Sequence, residues 1–257
     1  LYTAPSDEAL IYDIQTMKNL GFNMIRKHVK VETARWYYHC DRLGMIVWQD
    51  MVNGGTYNAP FMTWLPALFP KFKLHTSDQI HPLFGRKNVH GREEFIRECK
   101  ETVTALKAFP CISTWVIFNE GWGQFDSKKL TSLFRELDDT RLIDSASGWF
   151  DRRQGDFKSE HNYFAKQFVT PSDRAFVISE YGGYTCQIKG HTCSGKTYGY
   201  KICSSPEEFQ AAYYKLMSEE IEPLKEQGLC GAVYTQLSDI EDEINGLMTY
   251  DREVCKL

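Results

Sequence analysis

Two glutamates end two apolar segments of the sequence, and each precedes a glycine-rich turn. The run at 114–118 is followed by Asn119 and then Glu120, and the run at 175–179 is followed directly by Glu180. A carboxylate at the rim of a buried strand costs several kcal/mol unless it is paired. The alternative is that each glutamate only caps a strand or pairs with a helix lysine. Two carboxylates in matched positions favour paired acid and base chemistry.

Predicted strands and helices alternate along the chain. Ser6 is typical of a helix N-cap, and apolar residues recur at helical spacing after it. The predicted strands lie at 23–26, 45–48, 114–118, 142–144, 157–161, 175–180 and 231–236. The predicted helices lie at 7–20, 32–43, 92–109, 128–138 and 206–227. Short apolar strands that alternate with helices predict a parallel sheet covered by helices.

The strand candidates favour a closed barrel. The chain opens on a helix, so we expect a first strand upstream, which completes the eight strands of a (β/α)8 TIM barrel. An open doubly wound sheet is the alternative, but no G-x-G-x-x-G follows the first predicted strand. We therefore expect an α/β TIM barrel that lacks its first strand, with residues 1–257 as a single catalytic domain of a larger protein. In such a barrel the carboxyl ends of all strands share one face, where Glu120 and Glu180 are expected.

Several motifs resemble the catalytic barrel of family 2 glycoside hydrolases, the group of bacterial β-galactosidases, β-glucuronidases and β-mannosidases. They span almost the whole chain in the family's order and lie at 21–26, 36–44, 119–120, 179–183 and 246–252. The resemblance implies that Glu120 is the acid/base and Glu180 the nucleophile. It also implies a glycoside or oligosaccharide substrate and a sandwich-type region before the barrel in the same polypeptide.

The expected reaction is a retaining double displacement. Glu180 must be ionised to attack the anomeric carbon, and Arg26 and Tyr163 are expected to favour its charge by ion pairing and hydrogen bonding. Glu120 must begin protonated, a state that the negative Glu180 and the aromatic Trp122 favour. This mechanism requires carboxyl groups about 5–5.5 Å apart. Asn119 is expected to bind the sugar 2-hydroxyl.

Other candidates have two interpretations each. Asp50 ends a predicted strand and could bind substrate hydroxyls. His161 is either a pocket residue or a structural histidine. Three tryptophans are either sugar-stacking or core residues: Trp48, Trp122 and Trp149. His28 lies two positions after Arg26, where the family's histidine lies three after, so it is given no role.

The composition excludes several classes of protein. Hydrophobic residues make up 42% and charged residues 25% of 257 positions, as in a folded globular chain. The net charge of −4 argues against nucleic-acid binding. No run approaches the ~18 apolar residues of a membrane helix. The eight cysteines contain no C-x-x-C pair and predict free thiols, hence a cytoplasmic protein, with a secreted or periplasmic one as the alternative.

No cofactor or metal is expected. Residues 190–197 match G-x-x-x-x-G-K-[ST], but neither flank supplies the strand and helix of a phosphate loop, so a nucleotide binder is only a further hypothesis. Cys186, His191, Cys193 and Cys203 lack the paired spacing of a zinc site. Some family members hold magnesium through a Glu and a His in the loop that corresponds to residues 51–55, which contains neither.

The resemblance also limits the sugar. Uronate-specific members place an Asn and a Lys where this chain has Glu243 and Asn245, and a negative Glu243 would repel a uronate. Mannosidase-like members carry an Asn where this chain has Phe118. We therefore expect a β-galactosidase-like exo-β-glycosidase. The alternatives are a β-glucuronidase- or β-mannosidase-like hydrolase and a non-hydrolytic carbohydrate-binding barrel.

Overall fold

The computed structural model describes residues 4–68, 77–193 and 197–257. The chain divides into two compact units, Tyr2–Glu160 and His161–Leu257, and each is described by itself. The prediction of a single domain over 1–257 stays a prediction. No helix in the described ranges combines the length and apolar character that crossing a membrane requires.

The first unit contains a four-stranded parallel sheet with helices between its strands. Its elements are α1 (Asp7–Asn19), β1 (Met24–Lys27), α2 (Ala34–Leu43), β2 (Ile46–Asp50), a π-helical turn (Pro60–Trp64), α3 (Leu65–Leu68), α4 (Val89–Leu106), β3 (Ile112–Val116), α5 (Ser127–Leu137) and β4 (Leu142–Asp144). The strands pair in chain order, β1-β2-β3-β4. Because every pair is parallel, their carboxyl ends lie along one edge of the sheet.

Local sequence signals set the ends of these elements. The Ser6 hydroxyl accepts a hydrogen bond from the Ala9 amide at the start of α1, as the capping pattern predicts. Gly44 ends α2 with φ at 67° and donates its N–H to the carbonyls of Cys40 and Asp41. The start of α5 depends on a distant residue, since the buried Asp78 accepts a hydrogen bond from the Ser127 amide at 3.0 Å. The start of α1 and the end of α2 therefore follow from neighbouring residues, whereas the start of α5 does not.

Aromatic side chains fill much of the core beside this sheet. Trp115 of β3 is fully buried and donates its indole N–H to Asp138 at 3.0 Å. Phe118 stacks on Phe95 of α4, with ring centroids 5.3 Å apart, and Phe125 packs edge-on against both rings. Full burial of each such side chain contributes about 1.5–3 kcal/mol. This packing fixes the backbone that leads from β3 into the residues after it.

The second unit is built around a sheet in the order β5-β6-β9. Its elements are β5 (Phe157–Asn162), which begins in the first unit, β6 (Ala175–Gly182), β7 (Tyr184–Cys186), β8 (Lys201–Cys203), α6 (Pro206–Lys215), a π-helical segment (Leu216–Ile221), α7 (Glu222–Lys225) and β9 (Leu229–Thr235). β6 and β9 are parallel. β7 and β8 form a separate parallel pair. The second sheet thus presents the end of β6 beside the end of β9.

The α/β character predicted from the sequence is confirmed. Each of the seven predicted strands corresponds to an observed strand, and the predicted helix at 206–227 corresponds to α6, the π-helical segment and α7. Two features were not predicted. The presumed loop at 53–88 contains a π-helical turn and α3, and the segment after β6 contains β7 and β8. All eight cysteines are free, including the register partners Cys186 and Cys203.

Candidate active site

Three of the predicted site residues meet at the carboxyl edge of the first sheet. Arg26 near the end of β1 binds Asp50 at the end of β2 through two hydrogen bonds, Nε–Oδ1 and Nη2–Oδ2, both 2.9 Å long. The same Nη2 atom donates to Oδ1 of Asn119 at 2.8 Å. Both charged side chains are 2% exposed. The parallel register of the strands therefore gathers residues up to 93 positions apart into one buried hydrogen-bonded group.

Asp50 acts as an anchor for this group. Its Oδ2 also accepts from the Val29 amide at 3.2 Å and lies 3.4 Å from Nδ1 of His28. Burial favours the neutral carboxyl, but the charge of Arg26 and hydrogen bonds from His28 and Arg26 outweigh it and hold the pKa of Asp50 below its usual value. The geometry gives Asp50 a role in holding Arg26, and the substrate-hydroxyl role stays a prediction.

The contact with Arg26 also orients the side-chain amide of Asn119. Because Oδ1 accepts from a guanidinium, the NH2 group is the end of the amide that can donate to a ligand. The residue is 8% exposed, so its rotation is restricted by its surroundings. A fixed donor suits a hydroxyl oxygen of a bound sugar.

Glu120 occupies an unusual backbone conformation. Its φ is 53°, in the left-handed region that side chains other than glycine rarely adopt. Its amide donates to the carbonyl of Ser147 at 3.0 Å, and Asn119 and Ser147 form a parallel bridge. Gly121 follows with φ at 72°, and a Cβ there would lie 2.4 Å from the Phe150 ring. Strain of about 1–3 kcal/mol at one residue is characteristic of functional sites.

A buried arginine holds the turn after Glu120. Arg86 donates from Nε to the carbonyl of Gly123 at 2.9 Å and from Nη2 to Oδ1 of Asn53 at 3.0 Å. The Asn53 amide in turn donates to the Trp122 carbonyl. The guanidinium carbon lies 4.8 Å from the centroid of the Phe95 ring. These contacts link the loop after β2 to the turn that follows the acid/base candidate.

The same contacts bear on the magnesium site of some family members. The loop after β2 offers Asn53 rather than a carboxylate or imidazole, and a guanidinium already binds that amide oxygen. A divalent cation there would face the positive charge of Arg86 without an anionic ligand. The loop at 51–55 therefore does not fit magnesium.

The tryptophans differ in how far they reach solvent. Trp149 is 6% exposed and belongs to a hydrophobic cluster with Met62, Phe84 and Phe150. Trp48 is 7% exposed and stacks on a phenylalanine of β5. Trp122 is partly buried and donates its indole N–H to the Gly55 carbonyl at 3.1 Å. A sugar-stacking role stays a prediction for Trp122 and Trp149, and the packing of Trp149 is that of a core residue.

Glu180 is the centre of a second group of contacts, in the second unit. The Tyr163 hydroxyl donates to Oε2 of Glu180, and Nε2 of the buried His161 lies 3.6 Å from Oε1. The carboxylate is 12% exposed. Both neighbours come from β5 or the residue just after it, the strand beside β6. Three predicted site residues are therefore brought together here.

A β-bulge places Glu180. Ile178 of β6 is aligned with Ala232 and Tyr181 with Tyr234, so Ser179 and Glu180 together oppose a single residue of β9. A bulge bends its strand and redirects a side chain, and bulges are common beside active sites. The sequence predicted the strand and its glutamate, but not the extra residue that aims it.

Tyr163 is itself packed against an aromatic ring that the sequence did not single out. Tyr200 stacks on it with centroids 3.8 Å apart and ring planes 8° apart. Tyr200 lies just before β8 and close to residues 190–197, which match the phosphate-loop pattern in the sequence. Residues 194–196 of that segment lie outside the described residues. Arg86 was missed for a similar reason, since it lies in a Pro-rich stretch without periodicity.

The loop after β9 carries a group of polar residues. Nε2 of Gln236 donates to Oδ1 of Asn245 at 2.7 Å and to Oε2 of Glu243 at 3.2 Å. The loop is anchored by a buried ion pair in which Nζ of Lys256 lies 2.6 Å from Oδ1 of Asp239. The loop therefore places the Glu243 carboxylate beside the side-chain amides of Gln236 and Asn245.

Comparison with known proteins identifies relatives along the whole chain. The sequence profile of Glycosyl hydrolases family 2, TIM barrel domain, matches residues 4–254. A β-galactosidase of Priestia megaterium is 24% identical over 213 residues, which cover 75% of this chain and 17% of that protein. The chain thus spans about a sixth of this curated relative.

Solved structures share the fold. A β-galacturonidase of Eisenbergiella tayi, bound to galacturonate, matches 98% of this chain and 48% of its own with a TM-score of 0.64 and 17% identity. A β-glucuronidase of Parabacteroides merdae matches 95% of this chain and 32% of its own with a TM-score of 0.59 and 15% identity. The predicted fold class, an α/β TIM barrel, is confirmed.

Proposed function

The chain belongs to glycosyl hydrolase family 2, and from this we propose that it carries the catalytic centre of a retaining exo-β-glycosidase, with Glu180 as nucleophile and Glu120 as acid/base. The observation that supports this most is the setting of Glu180. A tyrosine hydroxyl donates to one carboxylate oxygen, and the strand is bulged where that carboxylate leaves it. A donated hydrogen bond favours the ionised carboxylate, which is the form a nucleophile needs.

The first step forms a covalent intermediate. The Glu180 carboxylate attacks the anomeric carbon, the bond to the leaving oxygen breaks, and the proton of Glu120 goes to that oxygen. The leaving alcohol departs, and the sugar stays attached to Glu180 as an ester. Because the ester is neutral, the ionised form of Glu120 no longer faces a second negative charge.

The second step releases the sugar. Glu120 takes a proton from water while the water oxygen attacks the anomeric carbon, and the bond to Glu180 breaks to restore its carboxylate. Two inversions give overall retention of configuration. This route requires about 5–5.5 Å between the two carboxyl groups.

Asn119 is the proposed partner of the sugar 2-hydroxyl. Its NH2 group is directed to donate because Arg26 occupies its oxygen. A hydrogen bond at the 2-hydroxyl strengthens as positive charge develops at the neighbouring anomeric carbon. Arg26 and Asp50 then act on the sugar indirectly, because they hold the Asn119 amide in place.

For the sugar we propose a β-galactoside. Glu243 lies in the loop after β9, where Gln236 donates a hydrogen bond to it. Its negative charge would repel a sugar carboxylate. The position of a mannosidase-like Asn holds Phe118, which is 1% exposed and stacked in the core. Both observations weigh against the alternative sugars.

The test is a substrate panel on the full-length natural protein. Aryl β-galactoside, β-glucuronide, β-galacturonide and β-mannoside are compared by kcat/KM, and NMR identifies the first-formed anomer. We expect the galactoside to be cleaved best and the β-anomer to appear first. Glu180→Gln should lose at least about a thousandfold in kcat. Activity in that variant, or an α-anomer as first product, would overturn the mechanism. A preference for a uronide would overturn the sugar alone.

We also propose that the protein works in a reducing compartment. Its eight cysteines are scattered without C-x-x-C pairs, as in proteins whose thiols stay reduced. Alkylation of the purified natural protein under denaturing conditions, followed by peptide mass mapping, should find all eight of these cysteines labelled. A protected pair would contradict this.

A further inference from the structure

We propose that Tyr200 is a positioning residue that holds the Tyr163 hydroxyl on the nucleophile. The inference rests on the proposed role of Glu180. Tyr163 donates to Glu180, and Tyr200 covers the Tyr163 ring face to face at 3.8 Å between centroids. Tyr200 thus acts on the nucleophile through Tyr163.

The stack lies against a side chain whose hydroxyl must be held in a fixed position. The residue follows β5, which ends at Asn162, so it lies beyond the last residue of the strand. Its hydroxyl oxygen is at the far end of the side chain, where a small rotation about the Cα–Cβ bond moves it most. Rotation about the Cβ–Cγ bond turns the ring plane and with it the direction of the O–H bond. Stacking restricts both rotations, and supporting contacts of this kind are what hold a catalytic group in geometry.

Tyr200 is fixed in its turn by the end of β6. Its amide donates to the Gly183 carbonyl at 3.1 Å. A Cβ at Gly183 would lie 2.3 Å from Cδ2 of the Tyr200 ring, and φ of +66° also favours glycine there. Phe164 packs edge-on against the same ring at 5.2 Å. Tyr200, just before β8, therefore places its ring beside the residue that follows the strand of the nucleophile.

A merely structural aromatic pair would predict something different. In that case removal of Tyr200 would lower stability, and any loss of activity would not depend on the Tyr163 hydroxyl. If Tyr200 acts through that hydroxyl, its removal has an effect only while the hydroxyl is present. Double-mutant cycles separate the two cases.

The experiment uses the full-length protein with Tyr200→Leu, Tyr200→Phe, Tyr163→Phe and the Tyr163→Phe/Tyr200→Leu double variant. The readouts are kcat/KM for 2,4-dinitrophenyl β-galactoside and the rate of covalent trapping by its 2-deoxy-2-fluoro analogue, which reports the attack by Glu180. Tyr163→Phe should lower both by about ten- to a hundredfold, since it removes a hydrogen bond to a charged group. Tyr200→Leu should lower both by about tenfold, and Tyr200→Phe, which keeps the ring, by less than about twofold.

The decisive comparison is within the double variant. There, Tyr200→Leu should cost less than about twofold beyond Tyr163→Phe. Tyr214→Leu is the matched control, because that tyrosine is 59% exposed on α6, and it should leave both rates unchanged. If Tyr200→Leu does not fold, Gly183→Ala replaces it, since its methyl group displaces the Tyr200 ring.

Two outcomes would overturn the inference. One is wild-type rates in Tyr200→Leu, and the other is the same loss with and without the Tyr163 hydroxyl. Neither touches the proposed function, which fails instead if Glu180→Gln remains active or is still labelled at residue 180.

Discussion

At the scale of the residue, the first unit uses a buried carboxylate to hold a guanidinium. Asp50 accepts two hydrogen bonds from Arg26, which in turn fixes the Asn119 amide. All three are buried, so each depends on its partners to satisfy its polar atoms. Substitution of one member therefore leaves the others uncompensated.

Asp50→Asn should be strongly destabilising. It removes the negative charge and leaves Arg26 buried with an unpaired positive charge, which costs about 3–5 kcal/mol in the free energy of unfolding. Loss of the Asn119 orientation should also lower kcat/KM by about ten- to a hundredfold. Urea unfolding and kinetics check both. Asp139→Asn, at an exposed position, is the control and should change neither; equal effects of the two variants would contradict the anchor role.

The contribution of Asp50 to the free energy of unfolding should decrease as the solution becomes acidic. The pKa of Asp50 is lower in the folded protein than its usual 3.8, so its charge stabilises the fold above that value. The difference in unfolding free energy between wild type and Asp50→Asn should be constant above about pH 5 and shrink as the pH falls below about 4. Urea titrations at several pH values measure it. A difference that grows on acidification would show the opposite sign.

At the scale of the element, the acid/base candidate lies on a turn that follows β3, outside the strand itself. β3 ends at Val116, and the turn at 120–123 is held from outside by Ser147 and Arg86. The proposed nucleophile, Glu180, instead lies within β6, where a bulge aims it. The two carboxylates thus depend on different kinds of support.

Arg86→Leu should loosen this turn. It leaves the Gly123 carbonyl without its Arg86 donor, at a cost of about 1–3 kcal/mol. The Asn53 amide oxygen loses its charged donor and keeps the Gly54 amide. We expect a tenfold or so lower kcat, because Glu120 is less firmly placed. Arg97→Leu on α4 is the control: its ion pairs are exposed, and it should shift stability by no more than about 0.5 kcal/mol. Equal loss of kcat in both variants would contradict the role of Arg86.

The sequence predicted these elements better than their supports. Seven of the nine strands in the described ranges, and the residues at their ends, could be found because apolar runs and glycine stops are local signals. Arg86, Ser147 and Tyr200 could not, because their roles come from contacts between distant positions that leave no pattern in their own segments. The bulge at Ser179 was missed for the same reason, since it exists only relative to β9.

At the scale of the whole molecule, each compact unit contains its own buried ion pair. The first has Arg26 and Asp50, and the second has Lys256 and Asp239. Lys256 also donates to the Ile244 carbonyl at 3.1 Å, and Asp239 accepts from the Gly246 amide at 2.9 Å. Burial raises the pKa of Asp239, and the charge of Lys256 offsets this in part. The pair thereby fixes the loop that carries Glu243 and Asn245.

Lys256→Met should destabilise the protein by about 3–5 kcal/mol, because Asp239 would keep a buried charge without its partner. The Asp239→Asn/Lys256→Met double variant should recover part of this loss, since the amide is neutral and still accepts from the Gly246 amide. Thermal and urea unfolding measure both. Lys225→Met, at an exposed lysine, is the control. A double variant less stable than Lys256→Met would contradict this account.

Because of the left-handed backbone at Glu120, we expect thermal stability and catalytic rate to favour different residues at this position. Glycine would relieve the torsional strain at this position, where φ is 53°. A library screened for survival at high temperature alone should therefore enrich Glu120→Gly and lose the proposed proton donor. Screening for cleavage of an aryl glycoside whose leaving group needs protonation would enrich the original glutamate. The two screens should therefore select different residues at position 120.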